Sequence, residues 1–213
     1  MIKHFNTLWS RVPVVVIDFE TTHRQIGVAR AVEVGLARFE DGKLQTMIGK
    51  RVDPGIPISP EATNVHGIFD ADVKGLLTIE EFFAQPNVQD LFKDAQLCAY
   101  NADFDKRLVP GVAGIDLSWP WLDPLTMVRV VDKYASGSGR HQLGAVCQRH
   151  GVHLSGAHNA MNDAVATGEL LYKIVPKLHD HASSSLGELL EAQQRAAAQH
   201  WFEFNRWLSR KTP

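Results

Sequence analysis

Two carboxylates stand in alternation close to the start of the chain. Asp18 and Glu20 flank Phe19 and follow a continuous apolar run at 12–17. Side chains alternate along a strand, so residues 18 and 20 face the same side of it. Neighbouring carboxylates repel unless a cation lies between them, and catalytic groups often gather at the carboxyl ends of strands in α/β sheets. A cation site is one interpretation, and a polar strand end facing solvent is the other.

Two later segments carry acids that also have two interpretations. Asp103 and Asp105 follow a second short apolar segment. Asp103 could cap a helix, and an acid in the first turn could serve only the helix dipole. Asn159 is the expected N-cap of the longest helix, with Asp163 one turn further on. His158 lies just before this helix, where it could reach the site or simply be solvated.

Taken together, these segments offer carboxylate oxygens and an imidazole to a metal ion. Such oxygens are the ligands that Mg²⁺ and Mn²⁺ prefer, and a pair of these ions can activate water for phosphodiester hydrolysis. The alternative is a zinc cluster with the candidate ligands Cys147, His150, His153 and His158. Structural zinc usually requires paired ligands on a compact turn, and Cys147 lies in a predicted helix. We therefore favour Mg²⁺ or Mn²⁺ over zinc.

The hydrophobic pattern predicts the elements that carry these residues. Strands are expected at 12–17, 28–36, 44–52 and 97–100, and helices at 103–109, 125–134, 142–150 and 159–175. Asp41-Gly42 between two apolar runs predicts a tight hairpin turn, because glycine accepts a positive φ. Thr78 and Glu81 have the spacing of a capping box. This order predicts an α/β layer with a mixed sheet.

The end of the chain predicts one more helix, after a polar linker at 178–185. This helix, at 186–209, carries four large apolar residues: Trp201, Phe204, Trp207 and Leu208. We expect them to complete the core, because most apolar helix faces are core faces. The alternative is a docking surface for another protein or for a second copy of the chain. The predicted domains are a main domain at 1–182 and a helical extension at 183–213.

Length and composition are those of an ordinary folded chain. The sequence has 213 residues, of which 45% are hydrophobic, with 22 basic and 24 acidic side chains. This argues against disorder. Two cysteines cannot form a disulfide framework, and the first apolar run is too short for a signal core or a membrane span. We therefore predict a cytoplasmic protein without a membrane segment.

The charge balance excludes one class of nucleic-acid binder but not all of them. A net charge of −2 rules out binding through overall basicity. Two bound divalent cations would bring that charge to about +2, which attracts phosphate. Five basic side chains are candidate phosphate contacts, although each is also typical of a solvated surface: Lys106, Arg107, Arg129, Arg140 and Arg149.

Three segments together resemble the exonuclease motifs of the DEDDh 3′–5′ exonucleases. They are Asp18-Phe19-Glu20-Thr21-Thr22, Asn101-Ala102-Asp103-Phe104-Asp105 and His158-Asn159-Ala160-Met161-Asn162-Asp163. The family includes the proofreading subunit of the bacterial replicative polymerase. Weaker similarities occur at 61–68, 122–125 and 142–147, so the resemblance covers about residues 12–175. His23 and Tyr100 depart from the family pattern at positions that are not metal ligands.

The resemblance implies a fold, a metal site and a set of substrate contacts. The fold would be ribonuclease H-like, a mixed five-stranded sheet flanked by helices. The cofactors would be two Mg²⁺ or Mn²⁺ ions, with Asp18, Glu20 and Asp163 on the first ion. Asp18 would bridge to the second ion, which Asp105 would help to hold through water, and His158 would be the general base. The terminal nucleotide would contact Phe19, Thr21, Val65, His66 and Phe104.

The resulting prediction is a metal-dependent 3′–5′ exonuclease that acts on the 3′ end of single-stranded nucleic acid. DNA is the favoured substrate, and nucleoside monophosphates are the products. The alternatives are an exoribonuclease that trims RNA or oligonucleotides, and a proofreading subunit that binds a polymerase through the C-terminal helix, which could also form a homodimer. A binding module that had lost the chemistry would be expected to lack one of the acids or His158, and none is missing.

Overall fold

The computed structural model describes residues 4–25, 27–111, 115–178 and 183–211. Its strands are β1 (Val14–Thr21), β2 (Ala31–Glu40), β3 (Lys43–Arg51) and β4 (Gln96–Cys98). They lie in the order β3-β2-β1-β4. The first three strands form an antiparallel meander, and β4 runs parallel to β1. The predicted mixed sheet is confirmed.

The sheet has one strand fewer than the five expected, within the described residues. The fifth position is held by Leu122 alone, which makes a parallel bridge to Cys98. The Leu122 N–H donates to the carbonyl of Leu97 at 2.9 Å. The next donors along this side of the ladder would come from positions 120 and 124, and both are proline. Proline has no N–H, so the pairing cannot extend in either direction.

The turn between β2 and β3 has the predicted form. Asp41 and Gly42 have φ angles of 48° and 75°. Positive φ at both central residues matches the right-handed twist of the flanking strands. This two-residue turn pairs Glu40 with Lys43 and Phe39 with Leu44, and the register shifts by one residue between Phe39 and Arg38.

The helices around the sheet are α1 (Pro60–His66), α2 (Asp70–Val73), α3 (Ile79–Phe83), α4 (Pro86–Leu91), α5 (Ala102–Asp105), α6 (Pro124–Val131), α7 (Leu143–His150), α8 (Ala160–Ile174) and α9 (Leu186–Lys211). The capping box of Thr78 and Glu81 opens α3 as predicted. α5 and α6 end earlier than expected, at Asp105 and Val131. α1 and α2 were not predicted from the hydrophobic pattern.

Two apolar cores lie on the two faces of the sheet. Val14 and Val16 of β1 pack in one core with residues of α8 such as Leu171. Val15 and Ile17 pack in the other core, with α3 and α4. Because side chains alternate, Asp18 and Glu20 continue the face of β1 that α8 covers.

The C-terminal helix buries its apolar side chains through its first turns. Leu186, Leu189 and Leu190 are buried in the core on the α8 side. Trp201, Phe204, Trp207 and Leu208 are 64%, 42%, 49% and 40% exposed, so the prediction that they complete the core is wrong. The buried leucines are confined to the first turns, whereas a helix of 26 residues is about 39 Å long. The predicted domain boundary adjoins residues 179–182, which are outside the described part, and it stays a prediction.

Within the described ranges, no helix combines the length and the apolar composition needed to cross a membrane. Both cysteines, Cys98 and Cys147, are buried and free.

Candidate active site

The end of β1 carries the first two acids on the face covered by α8. Asp18 pairs across the sheet with Gly35, and Glu20 with Glu33. Glu20 is 8% exposed. Phe19 lies between the acids, but its side chain packs in the core on the opposite face. The structure therefore does not bring the side chain of Phe19 to the acids, although it was a predicted substrate contact.

The start of α8 brings Asp163 and His158 to these acids. Asn159 caps the helix as predicted, accepting a hydrogen bond from the N–H of Asn162 at 3.1 Å. The N–H of His158 donates to Asp163 Oδ2 at 3.2 Å, and the φ of His158 is 67°. This left-handed turn places potential ligand atoms of Glu20, His158 and Asp163 within 4.8 Å of one another.

Asp105 reaches the same place from the neighbouring strand. It lies in α5, shortly after β4, which is parallel to β1, so both strands end at the same edge of the sheet. Its side chain is 4% exposed. Burial raises the pKa of Asp18, and the charge of Asp105 is the largest of the neighbouring charges that raise it further. Asp18 and Asp105 therefore share one electrostatic environment.

Every predicted metal ligand has its pKa raised, with burial as the largest cause. The pKa of Glu20 rises to about 8, because burial is reinforced by the charges of Asp163 and Glu33. The pKa of Asp163 is also raised by burial, and the N–H and charge of His158 oppose that shift. Carboxylates held together in this way favour protons or cations between them.

The donor set fits a small hard cation. Asp163 Oδ1 is buried and has no hydrogen-bond partner in the part of the chain that the structure describes. Such an atom is costly unless something compensates it. The charge of Asp163 acts on Asp18 and Glu20, and oxygen-rich sites are typical of Mg²⁺ and Mn²⁺. The residues present therefore suit the metal that the sequence predicted.

Glu33 is a residue of this site that the sequence analysis missed. Its Oε2 accepts hydrogen bonds from the N–H of Ala160 at 2.9 Å and from Asn159 Nδ2 at 3.2 Å. Arg51 approaches its other oxygen at 3.8 Å. A carboxylate at the start of α8 also interacts favourably with the helix dipole. An acid between two valines, Val32 and Val34, in the apolar first half of β2 was the signal that could have found it.

Two glycines allow α8 to lie directly on the sheet. A Cβ at Gly35 would lie 2.0 Å from the carbonyl oxygen of Ala160, and one at Gly49 would lie 2.9 Å from Met161 Cβ. Gly35 and Gly49 are paired neighbours on β2 and β3. Gly35 also pairs with Asp18. The absence of side chains at the two glycines therefore determines how closely α8 approaches the acids.

The predicted nucleotide contacts Thr21 and His66 lie together at the end of β1. His66 Nδ1 accepts from the N–H of Ile68 at 3.1 Å, so its proton is on Nε2, which lies 3.2 Å from the carbonyl of Thr21. Burial lowers the pKa of His66, and the charge of His158 is among the further causes. His66 is therefore a neighbour of the acidic site. The other two predicted contacts, Val65 in α1 and Phe104 in α5, are half-buried.

The structure separates the ligands of the alternative zinc cluster. Cys147 is buried in the core. His150 interacts with Asp132 at 3.1 Å and with Lys177 at 2.9 Å. His158 lies instead with Glu20 and Asp163.

The chain is similar in sequence to part of two curated DNA polymerases. The DNA polymerase III PolC-type of Streptococcus suis (strain 98HAH33) is 31% identical over 180 residues, which cover 82% of this chain and 12% of that polymerase. The same type of polymerase from Thermotoga petrophila is 26% identical over 179 residues, 82% of this chain and 13% of the relative. The chain thus spans about an eighth of the length of these curated relatives.

Solved structures share the fold. Exonuclease X in complex with 5′ overhanging duplex DNA has a TM-score of 0.66 at 24% identity, covering 83% of this chain and 99% of that chain. E. coli Exonuclease I in complex with a dT13 oligonucleotide has a TM-score of 0.64 at 19% identity, covering 79% of this chain and 43% of that chain. These likenesses confirm the predicted α/β fold class. The RNase_T exonuclease family model matches residues 15–171, so the chain belongs to this exonuclease family.

Proposed function

We propose that the chain is a divalent-metal-dependent 3′–5′ exonuclease that acts on single-stranded nucleic acid, with DNA as the favoured substrate. The observation that carries the proposal is the convergence of Glu20, His158 and Asp163 within 4.8 Å. Asp18 and Asp105 share the electrostatic environment of this cluster. Because the chain belongs to an exonuclease family, the reaction that we propose for this cluster is hydrolysis of a phosphodiester bond.

The acids divide into two sets of metal ligands. Asp18, Glu20 and Asp163 would hold one Mg²⁺ or Mn²⁺ ion, and Asp18 would hold a second, with Asp105 helping through water. When bound, such a pair lowers the pKa of water and stabilises a leaving oxygen. The raised pKa values of these acids mean that cation binding displaces protons from the site.

His158 is the general base of the proposed reaction. It is exposed, and its backbone is anchored to Asp163. Its imidazole accepts the proton of the attacking water while the new P–O bond forms. The bond from phosphorus to the 3′ oxygen of the preceding nucleotide breaks, which releases a nucleoside monophosphate. Thr21, Val65, His66 and Phe104 surround the terminal nucleotide in this proposal.

A second candidate function is proofreading within a polymerase assembly. The relatives named PolC-type polymerase match 82% of this chain, and the aromatic half of α9 is exposed. In that case the same chemistry would act on a primer end supplied by a polymerase. Trimming of RNA or short oligonucleotides is the remaining alternative, and sugar preference distinguishes it.

The test uses single-stranded DNA and RNA labelled at the 5′ end, with Mn²⁺, Mg²⁺ or a chelator. We expect a ladder that shortens from the 3′ end, faster on DNA, and that disappears with chelator or in the Asp18→Asn variant. Internal cuts, or products shortened from the 5′ end, would contradict the proposal. Binding without any hydrolysis would indicate a binding module, and faster cleavage of RNA would favour the exoribonuclease.

A further inference from the structure

A groove outside the acidic site lies between the end of α6, the segment before α7 and the second half of α9. It encloses about 450 Å³, and its lining includes Arg129, Lys133, Arg140, His141, Phe204 and Trp207. None of these residues belongs to the proposed hydrolytic machinery. The lining combines permanent cations with aromatic rings.

The charge of this groove is strongly local. Arg129, Lys133 and Arg140 face a single acid, Glu203, among the described lining residues, although the whole chain has a net charge of −2. Burial lowers the pKa of His141, and the charges of Arg140 and Arg129 lower it further. Both guanidinium groups therefore raise the positive potential around His141. An anionic ligand suits this environment better than an apolar one.

His141 also presents an unsatisfied polar atom. Its Nε2 is buried and lacks a hydrogen-bond partner within the described ranges. A buried polar nitrogen without a partner is unfavourable. His141 is among the residues that line the groove.

The aromatic side of the groove is arranged as a row of rings along α9. The ring centroids of Phe204 and Trp207 are 6.0 Å apart with an interplanar angle of 22°, and those of Trp201 and Phe204 are 6.2 Å apart. These rings remain 42–64% exposed. Cations beside exposed rings match a single strand of nucleic acid, whose phosphates need charge and whose bases need stacking surfaces.

The groove is connected to the edge of the sheet that carries the acids. The hydroxyl of Tyr100 donates to the carbonyl of His141, and Tyr100 precedes the segment that ends in Asp105. Asp123 accepts from the N–H of Asn101 at 3.0 Å, and the charge of Arg129 acts on Asp123. Direct contacts therefore join the lining of the groove to the segment between β4 and α5 that carries Asp105.

We propose that this basic and aromatic groove binds single-stranded DNA on the 5′ side of the terminal nucleotides held at the acidic site. The inference rests on the proposed exonuclease function. It assigns the exposed aromatic half of α9 to substrate rather than to a protein partner, because the cations beside the rings complement a polyanion.

The first experiment measures binding of a fluorescent dT20 oligonucleotide to the full chain in chelator, over a range of salt concentrations. Replacing both Arg129 and Arg140 with Gln keeps the stems but removes two charges, which should reduce the slope of log Kd against log salt by about 1.4. Trp207→Ala should weaken binding roughly 5- to 150-fold. The matched control replaces Lys43 and Lys50, which are exposed on β3, and should leave affinity and slope unchanged.

The second experiment separates this inference from the proposed function. The ratio of kcat/KM for a dT20 substrate to that for a dT3 substrate is measured in the wild type and in the groove variants. We expect the ratio to fall in the groove variants, because only the long strand reaches the groove. Wild-type protein that degrades neither substrate would overturn the proposed function itself. If both substrates are degraded, and the groove variants keep the wild-type ratio and the wild-type affinity for dT20, the proposal that the groove binds DNA would be overturned.

The same variants test a protein partner as the occupant. The oligomeric state of wild type and Trp207→Ala is compared by light scattering, and circular dichroism checks that the fold is kept. A loss of self-association in Trp207→Ala, with DNA affinity unaltered, would assign the groove to contacts between copies of the chain. That result would contradict DNA binding at this surface.

Discussion

At the scale of single residues, the backbone of His158 determines how its chemistry can be tested. Its φ of 67° lies in the left-handed region, which Asn tolerates and Ala does not. His158→Asn should therefore keep the turn and its hydrogen bond to Asp163 while removing the base. We expect kcat on single-stranded DNA to fall by about 10²–10⁴, and calorimetry should still show Mn²⁺ binding. Near-normal turnover would remove His158 from the reaction.

Glu33 is expected to act as a positioning residue for the start of α8. Glu33→Gln loses a charge from two hydrogen bonds, so the free energy of unfolding should fall by about 1–3 kcal/mol. The charge of Glu33 also raises the pKa of Glu20. Its removal should therefore shift the pH midpoint of Mn²⁺ binding downwards, which a purely structural role would not do. Glu40→Gln, on the same strand and paired with Arg38, should not move that midpoint.

The predictable part of the site is the part set by local rules. Alternation along one strand was enough to place Asp18 and Glu20 together, and capping preference identified Asn159. Glu33 escaped notice because the groups that it binds, at 159 and 160, are more than 120 positions away in the chain. No local pattern connects β2 with the start of α8. The substrate contacts were predicted through the family resemblance, and burial of Phe19 on the other face shows the limit of that transfer.

At the scale of elements, the contact between α8 and the sheet depends on Gly35. Because a Cβ there would lie 2.0 Å from the backbone of Ala160, Gly35→Ala must push the start of α8 away from the sheet. We expect a loss of about 1–3 kcal/mol in the free energy of unfolding, measured by urea denaturation, together with weaker Mn²⁺ binding. Gly144 of α7 is the control, since a Cβ there meets only Leu154 at 3.8 Å. Gly144→Ala should be neutral or stabilising, and equal losses in both variants would contradict the close-approach argument.

The elements also show which local signals were underused. α1 has a Ser59 side-chain cap, a proline in its first turn and Gly67 after its end. It buries only Ala62, so hydrophobic periodicity could not detect it. The prolines at 120 and 124, on either side of Leu122, were likewise not used, and the expectation of a fifth strand came from the family resemblance alone. Cap residues and prolines were thus more reliable here than apolar spacing in short segments.

At the scale of the whole molecule, the acidic cluster links stability to pH and metal. The pKa of Glu20 rises from 4.5 to about 8 on folding, and the pKa of Asp18 shifts in the same direction. A raised folded-state pKa stabilises the protein at low pH, and this stabilisation is lost as pH rises towards the folded value. The protein in chelator should therefore lose on the order of 1 kcal/mol between pH 7 and pH 8 through the ionisation of Glu20.

Divalent cations should reverse that loss, because they occupy the space between ionised carboxylates. In urea denaturation at pH 7 and pH 8, the stabilisation by Mn²⁺ over chelator should be larger at pH 8. The interval from pH 7 to pH 8 lies above the range in which histidines ordinarily titrate. In that lower range, the lowered pKa of His66 has the opposite effect on stability, because its contribution is lost as pH falls. Glu20→Gln should reduce both the pH dependence and the metal effect. A chelated protein that becomes more stable up to pH 8 would mean that these acids are not held together in solution, and the metal site would lose its electrostatic basis.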